Sequence, residues 1–209
     1  AIRKGQYEGL ESRLSNGDTE HHESTRLPDF GPSQWNDKVA RSGGITIGSR
    51  DILVAYNVNI DEKDALVSKK IGSLVRSSGR LIKQKDGRRM RVPGMLTLVQ
   101  GMGVTLESHG ISQVSMNLRD VRQCPMHVAY EAYKTLAEDH GLQAPGSELV
   151  GLVPLEAMLD SGRWYALEGE TDEEKLVAAA INGLGLSQLE EFVPTERIIE
   201  WAVSKAVEQ

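Results

Sequence analysis

The chain is poor in everything that would tie it to an oxidising or a membrane setting. It has one cysteine, Cys124, in 209 residues, so no disulfide framework within the chain is available and a reducing compartment, the cytoplasm, is expected. No apolar run approaches the roughly 20 residues needed to span a bilayer. The opening residues, AIRKGQYEGL, contain no apolar stretch of the kind a secretory leader needs. They also lack an initiating Met, from which we expect a processed chain or a part of something longer. Nor is there an excess of cations: the formal net charge is −6, which argues against a general nucleic-acid or anionic-membrane surface. What is present is an ordinary globular composition, 39% hydrophobic and 26% charged, with a length that allows one large or two small domains.

Along the chain, residues 1–14 read as a short helix and residues 15–26 as a polar stretch without periodicity. His21 and His22 lie there side by side, and adjacent histidines on such a stretch rarely make a metal site alone, so no metal is expected. Leu27 to Asp51, LPDFGPSQWNDKVARSGGITIGSRD, looks like a loop but is neither repetitive nor of low complexity. Period-two alternation then predicts a strand over 51–60, with Ile52, Val54, Tyr56, Val58 and Ile60 on one side and Leu53, Ala55, Asn57 and Asn59 on the other. A helix is predicted over 62–78, with an apolar stripe of Leu66, Val67, Ile71, Leu74 and Val75 and Gly79 at its C′ position. Strands are predicted over 96–106 and 111–118, joined by a short turn at Ser108-His109-Gly110. A helix follows over 125–140, with Pro125 near its start and Gly141 as its stop. A strand over 147–153 and helices over 154–161, 172–183 and 194–207 complete the chain.

From residue 51 to residue 153 the order is βαββαβ, the ferredoxin-like split unit. The fold expected is therefore an α+β two-layer sandwich: an antiparallel four-stranded sheet whose first and third strands are central, both helices on one face, and extra N- and C-terminal helices. The face away from the helices then carries Asn57, Asn59, Gln113, Ser115 and Asn117, an uncharged platform of hydrogen-bond donors and acceptors. Gly101 and Gly103 on the intervening strand would let a ligand or another backbone approach closely. Such a face is either solvated, as in many antiparallel sheets, or a contact surface for a second subdomain or a polar ligand, and the absence of charge favours contact. RNA recognition on this sheet is rejected, because base stacking needs aromatics that Gln113-Val-Ser-Met-Asn-Leu118 does not have. Two further features have plain explanations: His127 as a capping or surface residue of its helix, and Cys124 as a small buried one. The segment 80–91, with six cations and one acid, is either a solvated loop or a rim that steers anions toward a cleft.

Several stretches together resemble one family. Ala1-Ile-Arg-Lys-Gly-Gln-Tyr-Glu-Gly-Leu10, Pro28-Asp-Phe-Gly-Pro-Ser33, Gly48-Ser-Arg50 with Val54-Ala-Tyr-Asn-Val-Asn59, Gln113-Val-Ser-Met-Asn-Leu118 and Gly146-Ser-Glu-Leu-Val-Gly-Leu-Val-Pro-Leu155 are similar to glutamate formimidoyltransferase, the transferase unit of formimidoyltransferase-cyclodeaminase. Pro194-Thr-Glu-Arg-Ile-Ile-Glu200 is similar to the way that unit ends. The resemblance implies two α/β subdomains with a folate cleft between them. Residues 1–50 would then be the tail of the N-terminal subdomain with the folate loop, and residues 51–209 the C-terminal subdomain. The family's catalytic histidine lies in a His-Pro-Arg stretch that this chain does not contain, so no catalytic residue is carried over.

The resemblance further implies folate-binding residues Gly31, Pro32, Ser33, Gly43 and Gly44, and substrate-cleft candidates Arg50, Asn57, Asn59, Gln113, Ser115 and Asn117. It implies transfer of a formimidoyl group from N-formimidoyl-L-glutamate to tetrahydrofolate, in histidine degradation and one-carbon metabolism. Tetrahydrofolate enters as a substrate, without a metal. The partners expected are those two substrates, the absent N-terminal subdomain and a second copy of the chain in a homo-oligomer, with neither nucleic acid nor membrane. Because both substrates carry carboxylates, Lys38, Arg41, Arg50 and the 80–91 segment gain a role as steering charge. Two other hypotheses stay open: a truncated, non-catalytic paralogue acting as a folate-binding or protein-interaction module, and a regulatory ferredoxin-like module without folate.

Overall fold

The computed structural model describes residues 30–31, 36–42 and 51–207, and the chain divides into two units, Ala1–Arg50 and Asp51–Gln209. The helix expected over 1–14 and the polar stretch with His21 and His22 lie outside the described residues. In the first unit, a short helix, α1 (Asp37–Ser42), occupies part of what the sequence presents as a loop. Asn36 caps it, its Oδ1 accepting from the backbone N–H of Lys38 and of Val39 at 3.0 Å each.

The second unit begins with β1 (Val54–Ile60), whose β-branched and aromatic residues alternate with asparagines. It starts three residues later than the alternation predicts, and Ile52 is left exposed. Helix α2 (Ala65–Val75) follows, with Asp64 as N-cap accepting from Leu66 N–H at 3.0 Å. Its buried face is narrower than the predicted stripe: Leu66 is 68% exposed. Ser68 is buried instead, its hydroxyl 2.6 Å from that of Ser112. Gly79 is not at C′ but in the turn beyond the helix, at φ +59°, because the chain already turns extended at Arg76.

The basic segment is not a loop. Arg80–Lys83 (β2) and Arg89–Val92 (β3) pair antiparallel as a separate two-stranded hairpin. The chain then returns through β4 (Val99–Leu106), a 3-10 turn at Glu107–His109, β5 (Ile111–Leu118), α3 (Met126–Glu138) and β6 (Gly146–Val150). The main sheet has the order β4-β5-β1-β6 with every pair antiparallel. Its central pair is the first and third strands of the βαββαβ unit, so the ferredoxin-like two-layer sandwich is the observed fold.

Helices α4 (Leu155–Tyr165) and α5 (Glu173–Leu184) follow, and the last predicted helix is broken into α6 (Pro194–Arg197) and α7 (Ile199–Val207). At the break Ile198 is extended, at φ −89° and ψ 122°, and forms a parallel bridge with Val153. That bridge outweighs local helix propensity there, because the Ile198 side chain is completely buried.

One face of the sheet makes the core: Val54, Tyr56, Val58 and Ile60 with Val114, Met116 and Leu118, covered by Ile71 and Val75 of α2 and by Ala129 and Tyr133 of α3. The same cluster runs on into Met158, Val177, Leu184 and Ile198, so the C-terminal helices are part of this core rather than an appendage. Gly103 sits on this face, opposite Val114. A Cβ there would lie 2.2 Å from the backbone N of Lys69, so α2 packs its backbone directly onto β4. Gly101, opposite Met116, faces the same way, toward the Tyr133 hydroxyl. The strand glycines therefore admit a helix and not a ligand on the open face; the β4–β5 register decides their side.

Candidate functional site

Strand pairing assembles the open face. Asn57 lies opposite Ser115 of β5 and Glu148 of β6, Asn59 opposite Gln113, and Ala55 opposite Asn117. Since directly opposed residues share a face, all five polar candidates gather on one surface, as their alternation predicts. It is not a solvated surface: Asn57 is 8% exposed, Asn59 0% and Gln113 3%. Nor is it uncharged, since Glu148 stands on it.

The buried members are hydrogen-bonded to one another. Gln113 Nε2 donates to Asn59 Oδ1 at 2.7 Å and to Glu148 Oε2 at 3.0 Å. Asn57 Nδ2 donates to the same Glu148 oxygen at 3.3 Å and, at the long limit of 3.5 Å, to Gln113 Oε1. Asn59 Nδ2 donates to Gln188 Oε1. Gln188 reaches the sheet because Gly146 leaves room for the turn after α5: a Cβ at Gly146 would lie 2.6 Å from Gln188 Cβ and from Gly185 O. Ser115 and Asn117 border this network at half-buried positions without joining it through a side-chain hydrogen bond. Glu148 also lines a shallow cleft at the β6 edge, with Glu190, Glu191, Phe192 and Arg197.

Of the loop candidates, Gly31 is exposed at φ +90° with open space where a Cβ would stand. Pro32, Ser33, Gly43, Gly44 and Arg50 lie outside the described residues. Lys38 and Arg41 are exposed on α1.

His127 departs from expectation. It is a buried residue of α3, and its ring stacks on Trp164 of α4 with centroids 5.2 Å apart and planes 15° apart. Burial lowers its pKa, while the carboxylates of Asp160 and Glu131 pull the other way. Helical periodicity puts His127 on the polar side of α3; what covers that side is a helix nearly forty positions later. Cys124 is buried, as expected, and desolvation pushes its thiol up to about 11, away from nucleophilic use. Glu148 and Gln188 are the site residues that the sequence alone does not reveal, because only strand register and the α5 turn bring them to the platform.

A family model described as the formiminotransferase domain matches residues 55–204, from β1 to α7, so the match takes in the whole platform. The chain belongs to the formiminotransferase domain family. It is 37% identical over 211 residues to the formimidoyltransferase-cyclodeaminase of Gallus gallus, covering 100% of this chain and 36% of that protein. The glutamate formimidoyltransferases of Thermoplasma acidophilum and Streptococcus pyogenes serotype M1 are 35% and 31% identical, over 84% of this chain and 51% of each relative. The chain thus spans between about a third and a half of the length of these formiminotransferase relatives.

Proposed function

We propose that this formiminotransferase chain is the folate-binding part of a glutamate formimidoyltransferase, moving the formimidoyl group of N-formimidoyl-L-glutamate to tetrahydrofolate. The observation that carries this reading is the buried amide network, Asn57, Asn59 and Gln113, lying inside the matched family region on the sheet face that the helices leave open. Residues 1–50 are then the tail of an N-terminal subdomain with the folate loop, and residues 51–209 the C-terminal subdomain. The folate-binding residues are Gly31, Pro32, Ser33, Gly43 and Gly44, and the candidates for the substrate cleft are Arg50, Asn57, Asn59, Gln113, Ser115 and Asn117. Ser115 and Asn117 belong to its rim.

In this reaction N5 of the reduced pterin attacks the formimidoyl carbon and a tetrahedral intermediate forms. The bond from that carbon to the glutamate nitrogen then breaks, and glutamate leaves as an amine that takes up the proton N5 has lost. The protein must hold two substrates in line and supply a general base, a role suited to histidine. No histidine of this chain lies in the His-Pro-Arg stretch that the family uses, so we assign the base to the N-terminal subdomain and expect the chain alone to be inactive. Backbone N–H groups of a glycine-rich segment suit the flat pterin edge, which bulkier residues would obstruct.

Turnover of tetrahydrofolate and formimidoylglutamate, measured with and without the N-terminal subdomain, tests the proposal. Activity restored by that subdomain is the expected result. No activity in its presence would leave the non-catalytic module as the better account. Replacing Gly43 and Gly44 together by Val should weaken tetrahydrofolate binding without unfolding the sheet, and an unchanged titration would remove that segment from the site.

A further inference from the structure

We infer that Glu148 is the recognition residue for a planar N–C–N fork of N–H donors, the group that both substrates of the proposed reaction share. Tetrahydrofolate presents it as the 2-amino group and ring N3–H of its pterin, and formimidoylglutamate as the two nitrogens on its formimidoyl carbon. The inference rests on the formimidoyltransferase reading and adds the residue that would select its substrates.

A census of the platform singles out its carboxylate. Each side-chain amide has two N–H groups to give and one oxygen to receive with. Asn57 and Gln113 spend both of theirs inside the network, and Asn59 spends one on Gln188. Within the bonded network Glu148 Oε1 and Asn57 Oδ1 stay open as acceptors among the described residues, beside one open N–H on Asn59, while Gln188, Ser115 and Asn117 keep further groups unspent. Glu148 and Asn57 are directly paired positions on β6 and β1, so the carboxylate and an amide oxygen are carried by neighbouring residues of one face.

Charge points the same way. Glu148 is half-buried and has no cation within ion-pair distance among the described residues. The neighbours it touches are amides, which carry no charge, so its own charge is not paired within the platform. Both of its amide donors converge on Oε2, which leaves Oε1 without a hydrogen-bond partner among the described residues. A cationic amidine, or the polarised 2-aminopyrimidinone edge, would supply the charge-assisted hydrogen bonds that are missing.

The experiment is Glu148→Gln in the full-length protein, which keeps shape and volume but puts an amide in place of the carboxylate. We expect the KM of one substrate to rise by about tenfold or more, with a smaller fall in kcat and an unchanged melting temperature. A rise confined to tetrahydrofolate identifies the pterin as the fork, and a rise confined to formimidoylglutamate identifies the formimidoyl group; KM values unchanged for both overturn the inference. If the variant does not fold, the wild type answers through fragments. Formamidine, or 2-amino-4-oxopteridine but not its counterpart without the 2-amino group, should compete, and competition by none of them, or equally by both pteridines, overturns it. Should the protein show no transferase activity, the parent reading fails while calorimetric titration of each substrate still tests the fork. Binding lost in Glu148→Gln upholds the inference, and binding equal in both proteins, or absent from both, overturns it.

Discussion

The imidazole of His127 rests on the indole of Trp164, itself 62% exposed, and burial keeps its pKa below the ordinary histidine value against the pull of Asp160 and Glu131. The unfolded chain therefore takes up a proton near pH 6.5, while the folded chain resists until lower pH. This contribution to stability is complete above the unfolded value and is lost as pH falls through the window below it. The melting temperature of the wild type minus that of His127→Phe, which keeps an aromatic stack, should be largest above about pH 7 and shrink toward about pH 5; a constant difference would mean that the ring does not titrate differently on folding. Asn59 tests the network on the open face. Removing its fully buried side chain strips a partner from the buried Gln113 and another from the exposed Gln188, so Asn59→Ala should cost about 1–3 kcal/mol in urea unfolding. Asn117→Ala, at the half-buried rim, should stay within about 0.5 kcal/mol. Equal losses would mean that the amides act singly. At this scale strand alternation suffices to place Asn57, Asn59 and Gln113 together. Glu148 escapes it because a lone acid on a five-residue edge strand reads as a solvent-facing residue until register sets it opposite Asn57.

Among the elements, the contact of α2 with β4 is the least forgiving. Backbone occupies the space where a Gly103 side chain would stand, and backbone cannot rotate away, so Gly103→Ala should destabilise by about 1–3 kcal/mol or more in chemical unfolding. A fully folded variant of unchanged stability would mean that the helix can lift off the strand. The β2–β3 hairpin invites a different experiment. Lys83 and Arg89 are paired across it and exposed, and neither is in an ion pair within the described residues. Changing both to Glu should leave stability within about 0.5 kcal/mol. If the hairpin steers anionic substrates, kcat/KM at low salt should fall and lose its dependence on ionic strength; an unchanged salt profile would make the hairpin a bystander. Its sequence did hold a signal, since Asp86-Gly87 flanked by Leu81-Ile82 and Met90 is a hairpin pattern, but six cations drown the apolar alternation. The break at Ile198 left no such signal: Pro194 to Val207 has a helix start and helical residues throughout, and only a partner strand segment distant in sequence draws the chain straight.

For the whole molecule, the extent of the core matters more than the count of its layers. The βαββαβ unit ends at β6, yet its apolar cluster continues through Met158, Val177, Leu184 and Ile198. The Ser147 hydroxyl, which accepts from Tyr56 at 2.8 Å, donates to Leu184 O at 2.7 Å. A chain ended after Val153 would expose this surface, so it should lose cooperative thermal unfolding by circular dichroism; a sharp two-state melt in that truncation would show the sandwich to be self-sufficient. No helix among the described residues is long and apolar enough to cross a membrane; the apolar surface described here is packed within the chain. The seam that closes it is the bridge at Ile198. Val153 N–H donates to Arg197 O at 2.9 Å and Ile199 N–H to Val153 O at 3.0 Å, so two amides forty-six positions apart are shielded by one piece of backbone. Neither deuterates until that piece lifts, and in native-state hydrogen exchange they should report a single shared opening event, a timer for how often the C-terminal limb unlatches from the sheet.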